Sequence, residues 1–280
     1  MVLTLIILFA GALFAGFIGS LTGLGGGVVL VPLLTLGFGV DIRYAIGTSL
    51  ISVIATSSGA ASAYLKEGLL NVRIGMFLEI ATTLGAIVGA AIAVFAPTHA
   101  IAVIFGLVLL YSAVDSFRKR KDAGDSINKP LENGWLMKFL RVEGYYNTGS
   151  EKKYYKMNNV AGGFLVMALA GILSGLLGIG SGALKVIAMD SVMKIPFKVS
   201  TSTSNFMIGV TAAASAGIYL NRGYIDPVLS MPVMIGVLLG SLIGAKILLK
   251  AQTKNIRIVF AFVIAMLAFE MIYNGLVKNI

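Results

Sequence analysis

Glycines in an apolar context carry the first chemical signal of this sequence. The run SLTGLGGGVVLVPLL, residues 20–34, places four glycines inside a long apolar stretch. Glycine lets a chain leave helical geometry, and a half-helix that restarts afterwards has unpaired N–H groups at a positively polarised end. Such an end binds anions without a charged side chain. The run therefore predicts one wall of an anion site, with close helix packing as the alternative because Gly19, Gly23 and Gly27 are spaced by four.

Hydroxyl side chains form two further clusters, one within 48–58 and the other within 200–205. Polar groups in hydrocarbon cost free energy unless they find partners, although serine and threonine can bond back to carbonyls of their own helix. A Thr-Ser pair recurs in both clusters, which favours a role beyond such back-bonding. We predict that five of these residues line a substrate site: Thr48, Ser49, Thr203, Ser204 and Asn205.

Charged residues inside apolar segments are rare in membrane proteins and usually functional. Lys185 lies three residues after Gly182, where it would attract an anion or mark the edge of its site. Glu79 and Glu270 are candidates for proton coupling, because desolvation favours the neutral form of a carboxyl group. Placement at the membrane interface is the alternative interpretation of both carboxyls.

The composition indicates a polytopic membrane protein. Of 280 residues, 58% are hydrophobic and 12% are charged, whereas soluble domains carry about 25% charged residues. The chain has no cysteine and one histidine, which excludes disulfides, cysteine metal sites and histidine clusters. Val28 stands where a dinucleotide fingerprint needs glycine, and no Lys-Ser/Thr pair follows Gly27 as a phosphate loop requires. We therefore expect no enzyme, no catalytic residues, no metal and no cofactor.

The apolar runs predict about eight to ten membrane segments, since most are long enough for one helix through a hydrocarbon core of about 30 Å. Runs 2–37 and 160–193 are too long for one crossing, and both contain glycine clusters. The sequence also repeats at an offset of 155 residues, which places Gly25 on Gly180. This register predicts an internal duplication. The GxxxG pairs Gly85/Gly89 and Gly240/Gly244 correspond as well, and their spacing predicts helix packing.

Positive charge predicts the topology. Segment 118–158 holds ten Lys and Arg against five Asp and Glu, which favours a cytoplasmic location. The other basic loops reach the same side only if runs 2–37 and 160–193 each return to the face where they start. The halves are then inverted. We predict an all-α polytopic membrane protein with two inverted repeats of about five segments each, in which the glycine motifs are broken or re-entrant helices. Its parts are a first membrane repeat (1–117), a basic cytoplasmic linker (118–158) and a second membrane repeat (159–280).

The paired motifs resemble a known family. GFIGSLTGLGGGVVLVPLL and YAIGTSLISVIATSSGAASAY in the first half, with AGILSGLLGIGSGALKVIAM and KVSTSTSNFMIGVTAAASAGIYL in the second, are similar to the sulfite exporter TauE/SafE family of membrane permeases. The resemblance implies transport of sulfur-containing anions such as sulfite and organosulfonates across the cytoplasmic membrane. It does not cover the linker, and Ser181 and Lys185 depart from the first motif.

Together these observations predict a multi-pass secondary transporter of the cell membrane for a small sulfur-containing anion, with proton coupling through Glu79 or Glu270. A passive anion channel, a permease for a different small anion, and a non-transporting membrane partner that acts through the linker remain alternatives. The expected partners are the anion and the lipid bilayer but not nucleic acid, and the oligomeric state is open, a homodimer included. The predicted substrate-binding residues beyond the hydroxyl clusters are Gly23, Gly25, Gly26, Gly27, Gly178, Gly180, Ser181, Gly182 and Lys185.

Overall fold

The computed structural model describes residues 2–22, 25–66, 70–117, 143–148, 151–248 and 253–277. Gly23 and residues 118–142 of the predicted linker lie outside these described residues. The described chain forms ten α-helices and one β-hairpin. In chain order they are α1 (Val2–Thr22), α2 (Gly27–Pro32), α3 (Ile42–Lys66), α4 (Val72–Phe95), α5 (Thr98–Phe117), β1 (Glu143–Thr148), β2 (Glu151–Lys156), α6 (Val160–Leu177), α7 (Gly182–Ile187), α8 (Phe197–Asn221), α9 (Pro227–Leu248) and α10 (Thr253–Val277).

Both glycine motifs interrupt a helix, as the sequence predicted. Helix α1 ends before the first motif, and the short helix α2 restarts at Gly27 and continues as a π-helical turn, Leu33–Gly37. The second motif repeats this arrangement, with α7 continuing as the π-helical turn Ala188–Val192. A π-helical turn inside a helix is rare and often marks a functional position. The prediction of broken helices at the glycine motifs is confirmed.

Helix bounds and helix pairing show the duplication in three dimensions. Helices α2, α3, α4 and α5 begin at the same offset of 155 residues from α7, α8, α9 and α10, as Gly27 does from Gly182. The packing follows the same rule. Helix α1 packs on α9 while its counterpart α6 packs on α4, and the equivalent helices of the pairs α3/α8 and α5/α10 pack on each other. The two halves are therefore related by a pseudo-two-fold arrangement.

The halves are inverted, because equivalent helices run in opposite directions where they meet. Gly106 of α5 lies against Ala268 and Ile272 of α10, whereas Gly275 of α10 lies against His99 and its neighbours at the start of α5. Helices α5 and α10 are therefore antiparallel. Antiparallel equivalents place the two-fold axis across the helices, which is the arrangement of inverted-repeat transporters.

Run 2–37 returns to the side on which it starts. Helix α1 follows α9 from Phe9 beside Gly236 to Phe17 beside Gly244. Helix α3 also runs parallel to α9, and Thr48 near its start lies beside Ser230. Since α1 and α3 run in the same direction, the chain that joins them, which includes α2, must return to the side of the bundle where α1 starts. The 21 residues of α1 extend for about 31 Å, a full hydrocarbon thickness, at 1.5 Å per residue.

Glycines allow the closest helix contacts. A Cβ atom at Gly16 of α1 would lie 2.2 Å from the Val237 carbonyl oxygen of α9, and one at Gly171 of α6 would lie 2.2 Å from the Thr82 carbonyl oxygen of α4. The GxxxG residue Gly89 meets Ile172 of α6 in the same seam. These distances are far below van der Waals contact, so the seams require glycine, as small-residue packing in membranes predicts.

Large apolar side chains cover the outside of the bundle. On α4, Met76, Ile80 and Leu84 are 53%, 56% and 62% exposed, which suits lipid and would be unusual in water at this extent. Among the described helices, three segments are long and apolar enough to cross a membrane: Val72–Phe95, Val160–Leu177 and Pro227–Gly244. The fold is that of an all-α polytopic membrane protein, with one hairpin added before the second repeat.

The hairpin of β1 and β2 was not anticipated from the sequence. The strands pair antiparallel from Glu143 opposite Lys156 to Thr148 opposite Glu151. The hairpin touches the helical bundle through Tyr155, whose hydroxyl oxygen accepts a hydrogen bond of 2.8 Å from Asn71 Nδ2. Asn71 also caps α4 by accepting from the N–H of Ile74. The last part of the predicted linker is thus attached to the start of a membrane helix.

A stabilising substitution follows from one exposed glycine on α8. Gly217 lies inside the helix, and a Cβ atom there would meet nothing within 4 Å. Because alanine has a higher helix propensity, Gly217→Ala is expected to raise stability by about 0.5–1 kcal/mol, measured as thermal unfolding in detergent. Ala213→Gly, at an exposed position one turn earlier, should lower stability by a similar amount. Destabilisation by Gly217→Ala would contradict the open surroundings of this position.

Candidate functional site

The two glycine breaks meet inside the bundle. We call Gly25–Gly27 and Gly178–Gly182 together the glycine junction. A Cβ atom at Gly27 would lie 2.7 Å from the Gly178 carbonyl oxygen, and one at Gly25 would lie 3.5 Å from the Ile179 carbonyl oxygen. All residues of the junction are buried. Both α2 and α7 begin here, so their positively polarised ends start in the same small region.

Left-handed backbone makes this approach feasible. Gly25, Gly178 and Gly180 have φ angles of 78°, 66° and 71°, which glycine adopts without a Cβ penalty. Ser181 also takes a positive φ angle, 46°, a conformation uncommon for a residue with a side chain. Such strain persists where surrounding structure imposes it, and it concentrates at functional sites.

The predicted hydroxyl residues divide into two groups. Ser49 Oγ donates a hydrogen bond of 2.8 Å to the Gly178 carbonyl oxygen, and Ser204 Oγ donates one of 3.2 Å to the Gly182 carbonyl oxygen. These two serines therefore hold the second break in place. Thr48 instead pairs with Ser230 of α9 at 3.2 Å, and Thr203 Oγ1 accepts a bond of 3.2 Å from the main-chain N–H of Asn71. Both threonines tie neighbouring helices together.

Several buried polar atoms of the second repeat have no hydrogen-bond partner among the residues that the structure describes. They include Asn205 Nδ2 and Ser181 Oγ, and their residues are 1% and 3% exposed. Thr201 Oγ1, on the same helix as Asn205, is a third such atom. A buried polar group without a partner costs roughly 1–3 kcal/mol, so native proteins rarely keep one without a reason. Each of the three atoms can donate a hydrogen bond, and the oxygens of an oxyanion are suitable acceptors.

A buried ion pair lies one turn into α7. Lys185 is fully buried, and its Nζ lies 3.7 Å from Oε2 of Glu79, a residue on α4 that is 4% exposed. The sequence singled out both residues but did not predict that they meet. The pair connects the broken helix of the second repeat to a helix of the first repeat.

Thr211 connects the two charges and was missed by the sequence analysis. Its hydroxyl accepts a hydrogen bond from Lys185 Nζ and donates to Glu79 Oε1 at 2.5 Å. Thr83 Oγ1 donates a second bond of 3.2 Å to the same carboxylate oxygen. One signal could have found Thr211, since it matches Thr56 at the repeat offset and lies seven residues after Ser204 on one helical face.

One predicted residue lies outside the described part of the chain, and Glu270 does not contribute to the junction. Gly23 lies outside the described residues. Glu270 is exposed on α10, and its main-chain oxygen accepts a bond of 3.0 Å from Asn274 Nδ2. The interface or lipid-facing surface is therefore the location of Glu270. Among the described residues, no group of three or more His, Cys, Asp or Glu side chains could hold a metal ion.

The fold and the junction together define a class of protein. Inverted repeats whose broken helices meet near mid-bundle, around buried polar groups, are the architecture of membrane transporters.

The comparison with known proteins gives the family. Residues 8–271 match the family model described as sulfite exporter TauE/SafE, and the chain belongs to this family. The chain is 29% identical to the probable membrane transporter protein YunE of Bacillus subtilis, over 98% of this chain and 99% of that protein. It is 26% identical to the probable membrane transporter protein YdhB of the same organism, over 87% and 89% of the two chains.

A similar relationship extends to an archaeon. The probable membrane transporter protein MJ0441 of Methanocaldococcus jannaschii is 24% identical over 92% of this chain and 91% of that protein. No solved structure matches the chain. The family and these names indicate a membrane transporter rather than an enzyme.

Proposed function

We propose that this protein is a secondary transporter that carries a small sulfur-containing anion, such as sulfite or an organosulfonate, across the cytoplasmic membrane. The anion binds at the glycine junction, and the linker 118–158 faces the cytoplasm. One observation carries the proposal. Two helix starts, buried donors without partners and a fully buried lysine lie around the same pair of helix breaks.

The chemistry of the junction favours an oxyanion. The unpartnered Asn205 amide and Ser181 hydroxyl can donate hydrogen bonds, and bonds to an ionised acceptor are roughly twice as strong as neutral ones. The ends of α2 and α7 add positive potential without a mobile counter-charge. Sulfite and sulfonate groups present several oxygen acceptors in a compact shape, which suits donors that converge from two sides. The family description supports a sulfur oxyanion over other small anions.

Burial favours a carrier over an open channel. Every residue of the glycine junction is buried, so the proposed site has no exposed surface in this conformation. A carrier passes through such an occluded state between its inward and outward forms, and inverted repeats supply the two equivalent packings. We propose Glu79 for proton coupling because it contacts Lys185, while exposed Glu270 is the weaker candidate.

The test is transport in proteoliposomes that contain the purified full-length chain. Sulfite, sulfate, thiosulfate, sulfoacetate, taurine and methanesulfonate are offered separately, and counterflow against trapped unlabelled substrate is measured. A carrier gives saturable uptake and counterflow for at least one sulfur oxyanion. Flux that neither saturates nor shows counterflow would identify a channel. Transport of another solute class with none of these anions would refute the proposed substrate.

Substitution of Asn205 tests substrate binding separately from protein stability. Among the described residues its amide nitrogen has no partner to lose. Removing an unpaired buried donor gains about 1–3 kcal/mol, which offsets the packing that Asn205→Ala gives up, so the unfolding temperature should stay close to that of the parent protein. Loss of a hydrogen bond to a charged ligand costs about 1.5–3 kcal/mol, so the half-saturation concentration for the anion should rise by about 10- to 150-fold.

The control is Ser215→Ala on the same helix, where the hydroxyl donates a hydrogen bond of 3.2 Å to the Thr211 carbonyl oxygen. This variant should keep the parental half-saturation concentration. An unchanged half-saturation concentration in Asn205→Ala would remove Asn205 from the proposed site.

A further inference from the structure

The Lys185–Glu79 pair joins the two halves, and the positions equivalent to it by the repeat carry no charge. At the repeat offset, Lys185 corresponds to Leu30 and Glu79 corresponds to Met234, whereas Thr211 corresponds to Thr56. Leu30 is fully buried, like Lys185. The fold therefore accommodates an apolar side chain at the same position of the first repeat. Buried ion pairs can often be replaced by apolar residues without loss of stability, so packing alone does not explain why Lys185 and Glu79 are charged where their repeat equivalents are apolar.

The pair is also incompletely satisfied. Lys185 Nζ and Glu79 Oε2 are 3.7 Å apart, and Oε2 accepts no hydrogen bond from the residues that the structure describes. A charge-assisted N–H···O bond is normally about 2.7–2.9 Å long. Lys185 Nζ has three donors, and among the described residues its hydrogen-bond acceptor is Thr211. The ammonium group can thus accept another anionic partner without breaking a tight contact to Glu79.

The surroundings of Glu79 contain few competing charges. Helix α6 has no titratable side chain between 160 and 177, and α8 presents Thr211 to the carboxylate. Tyr219 of α8 bonds to Gly175 at 3.2 Å instead. On the α7 side, Asp190 follows Lys185 by five residues in the π-helical turn and has an interaction of its own. On α4 itself, Arg73 is exposed near the helix start. Lys185 is therefore the charge that Glu79 faces.

Charge balance then decides what can bind. The empty pair has a net charge of zero, and burial makes any unbalanced charge costly. One monovalent anion at Lys185 would leave the site with a net charge of −1, and one proton on Glu79 restores zero. Both the empty and the loaded sites are then neutral, whereas an anion or a proton alone leaves a charge in the membrane.

We infer that Lys185 exchanges Glu79 for the substrate, so that the protein moves one monovalent sulfur oxyanion together with one proton. Glu79 takes the proton from water when the anion binds Lys185, forming an O–H bond and losing its negative charge. Release of the anion returns the proton to water and restores the ion pair. This inference rests on the proposed function and adds the valence of the substrate and the stoichiometry of coupling.

The experiment uses methanesulfonate, which stays a monoanion across the working pH range and therefore carries no proton of its own. Reconstituted full-length protein with a trapped pH indicator is tested while potassium and valinomycin set the membrane voltage. The expected result is one proton entering with each methanesulfonate, at a rate independent of voltage. Net uptake of methanesulfonate without proton movement would overturn this inference and leave the proposed function intact. Counterflow of sulfate but not of methanesulfonate would overturn the inference alone, whereas absence of counterflow for every sulfur oxyanion offered would overturn the proposed substrate class as well.

Glu79→Gln distinguishes exchange from a structural role. Glutamine resembles the protonated carboxyl group, so counterflow should stay within about twofold of the parent, while net uptake and proton movement are lost. Equal loss of counterflow and net uptake in folded protein would indicate a structural role and overturn the inference. If Glu79→Gln does not fold, Glu79→Asp serves instead, and it must keep one proton per anion. Asp41→Asn changes an exposed carboxyl group that bonds the N–H of Arg43, and it should retain full coupling.

Discussion

Replacing Lys185 with leucine is expected to abolish methanesulfonate transport and to destabilise the protein. Lys185 is fully buried, and Glu79 is its charged partner at 3.7 Å. Its removal leaves a buried carboxylate without a counter-charge, which costs about 3–5 kcal/mol in other proteins. It also removes the cationic contact proposed for the anion. Thermal unfolding in detergent and counterflow in proteoliposomes measure the two effects separately.

The double variant Lys185→Leu/Glu79→Met gives the decisive comparison. It places at each position the residue that stands at the equivalent position of the other half, Leu30 for Lys185 and Met234 for Glu79. Because no charge is then left buried, stability should recover to the parental value or exceed it, while transport stays absent. Lys246→Leu is the matched control, since Lys246 is exposed on α9 and its loss should affect neither measurement. A double variant as unstable as the single one would show that the pair holds the fold together.

Gly178→Ala is expected to disrupt the glycine junction. The φ angle of Gly178 is 66°, and a Cβ atom there would lie 2.6 Å from Ile46 Cγ2 and 3.1 Å from the Ile46 carbonyl oxygen. The left-handed backbone alone costs a non-glycine residue about 1–2 kcal/mol, and overpacking adds about 1–3 kcal/mol. Because the Gly178 carbonyl oxygen accepts the Ser49 hydrogen bond, any shift also moves α3 relative to the second break. We expect a lower unfolding temperature and loss of counterflow.

Gly223→Ala is the matched control for this substitution. Gly223 has a similar φ angle of 74°, but a Cβ atom there would meet nothing within 4 Å. It should therefore show the backbone cost of about 1–2 kcal/mol and retain counterflow. The difference between the two variants measures the close approach of the helix breaks. Equal effects on stability and transport would mean that the junction tolerates a methyl group at Gly178.

Much of the fold was predictable because it depends on local backbone geometry and on solvent. The low charge content and the apolar runs indicated membrane helices, and glycine clusters indicated where two of those helices break. The constant register of the duplication fixed which helices correspond, and the asymmetric distribution of lysine and arginine predicted the inversion. The hairpin within 143–156 was not predicted, because its paired tyrosines and lysines give no clear apolar face, and its described contact with the helices is the hydrogen bond between Tyr155 and Asn71.

The candidate site was predictable only in part. The sequence indicated Gly27, Gly178 and Ser49 as candidates, and they lie together at the junction. It could not distinguish Ser49, which bonds to the second helix break, from Thr48, which pairs with α9. Both residues carry a hydroxyl group and lie in the apolar segment that forms α3. Their roles differ because adjacent residues point about 100° apart on a helix, and the neighbour that each meets depends on helix crossing.

The sequence by itself determined the membrane class, the duplication, the inversion and the positions of the two helix breaks, because these follow from hydrophobicity, charge distribution and the conformational freedom of glycine. The tertiary structure alone decided that Lys185 meets Glu79 through Thr211 and that Asn205 and Ser181 are left without partners. These contacts join residues from both repeats that are far apart in the chain. No local pattern specifies them, since they arise only when the inverted halves pack against each other.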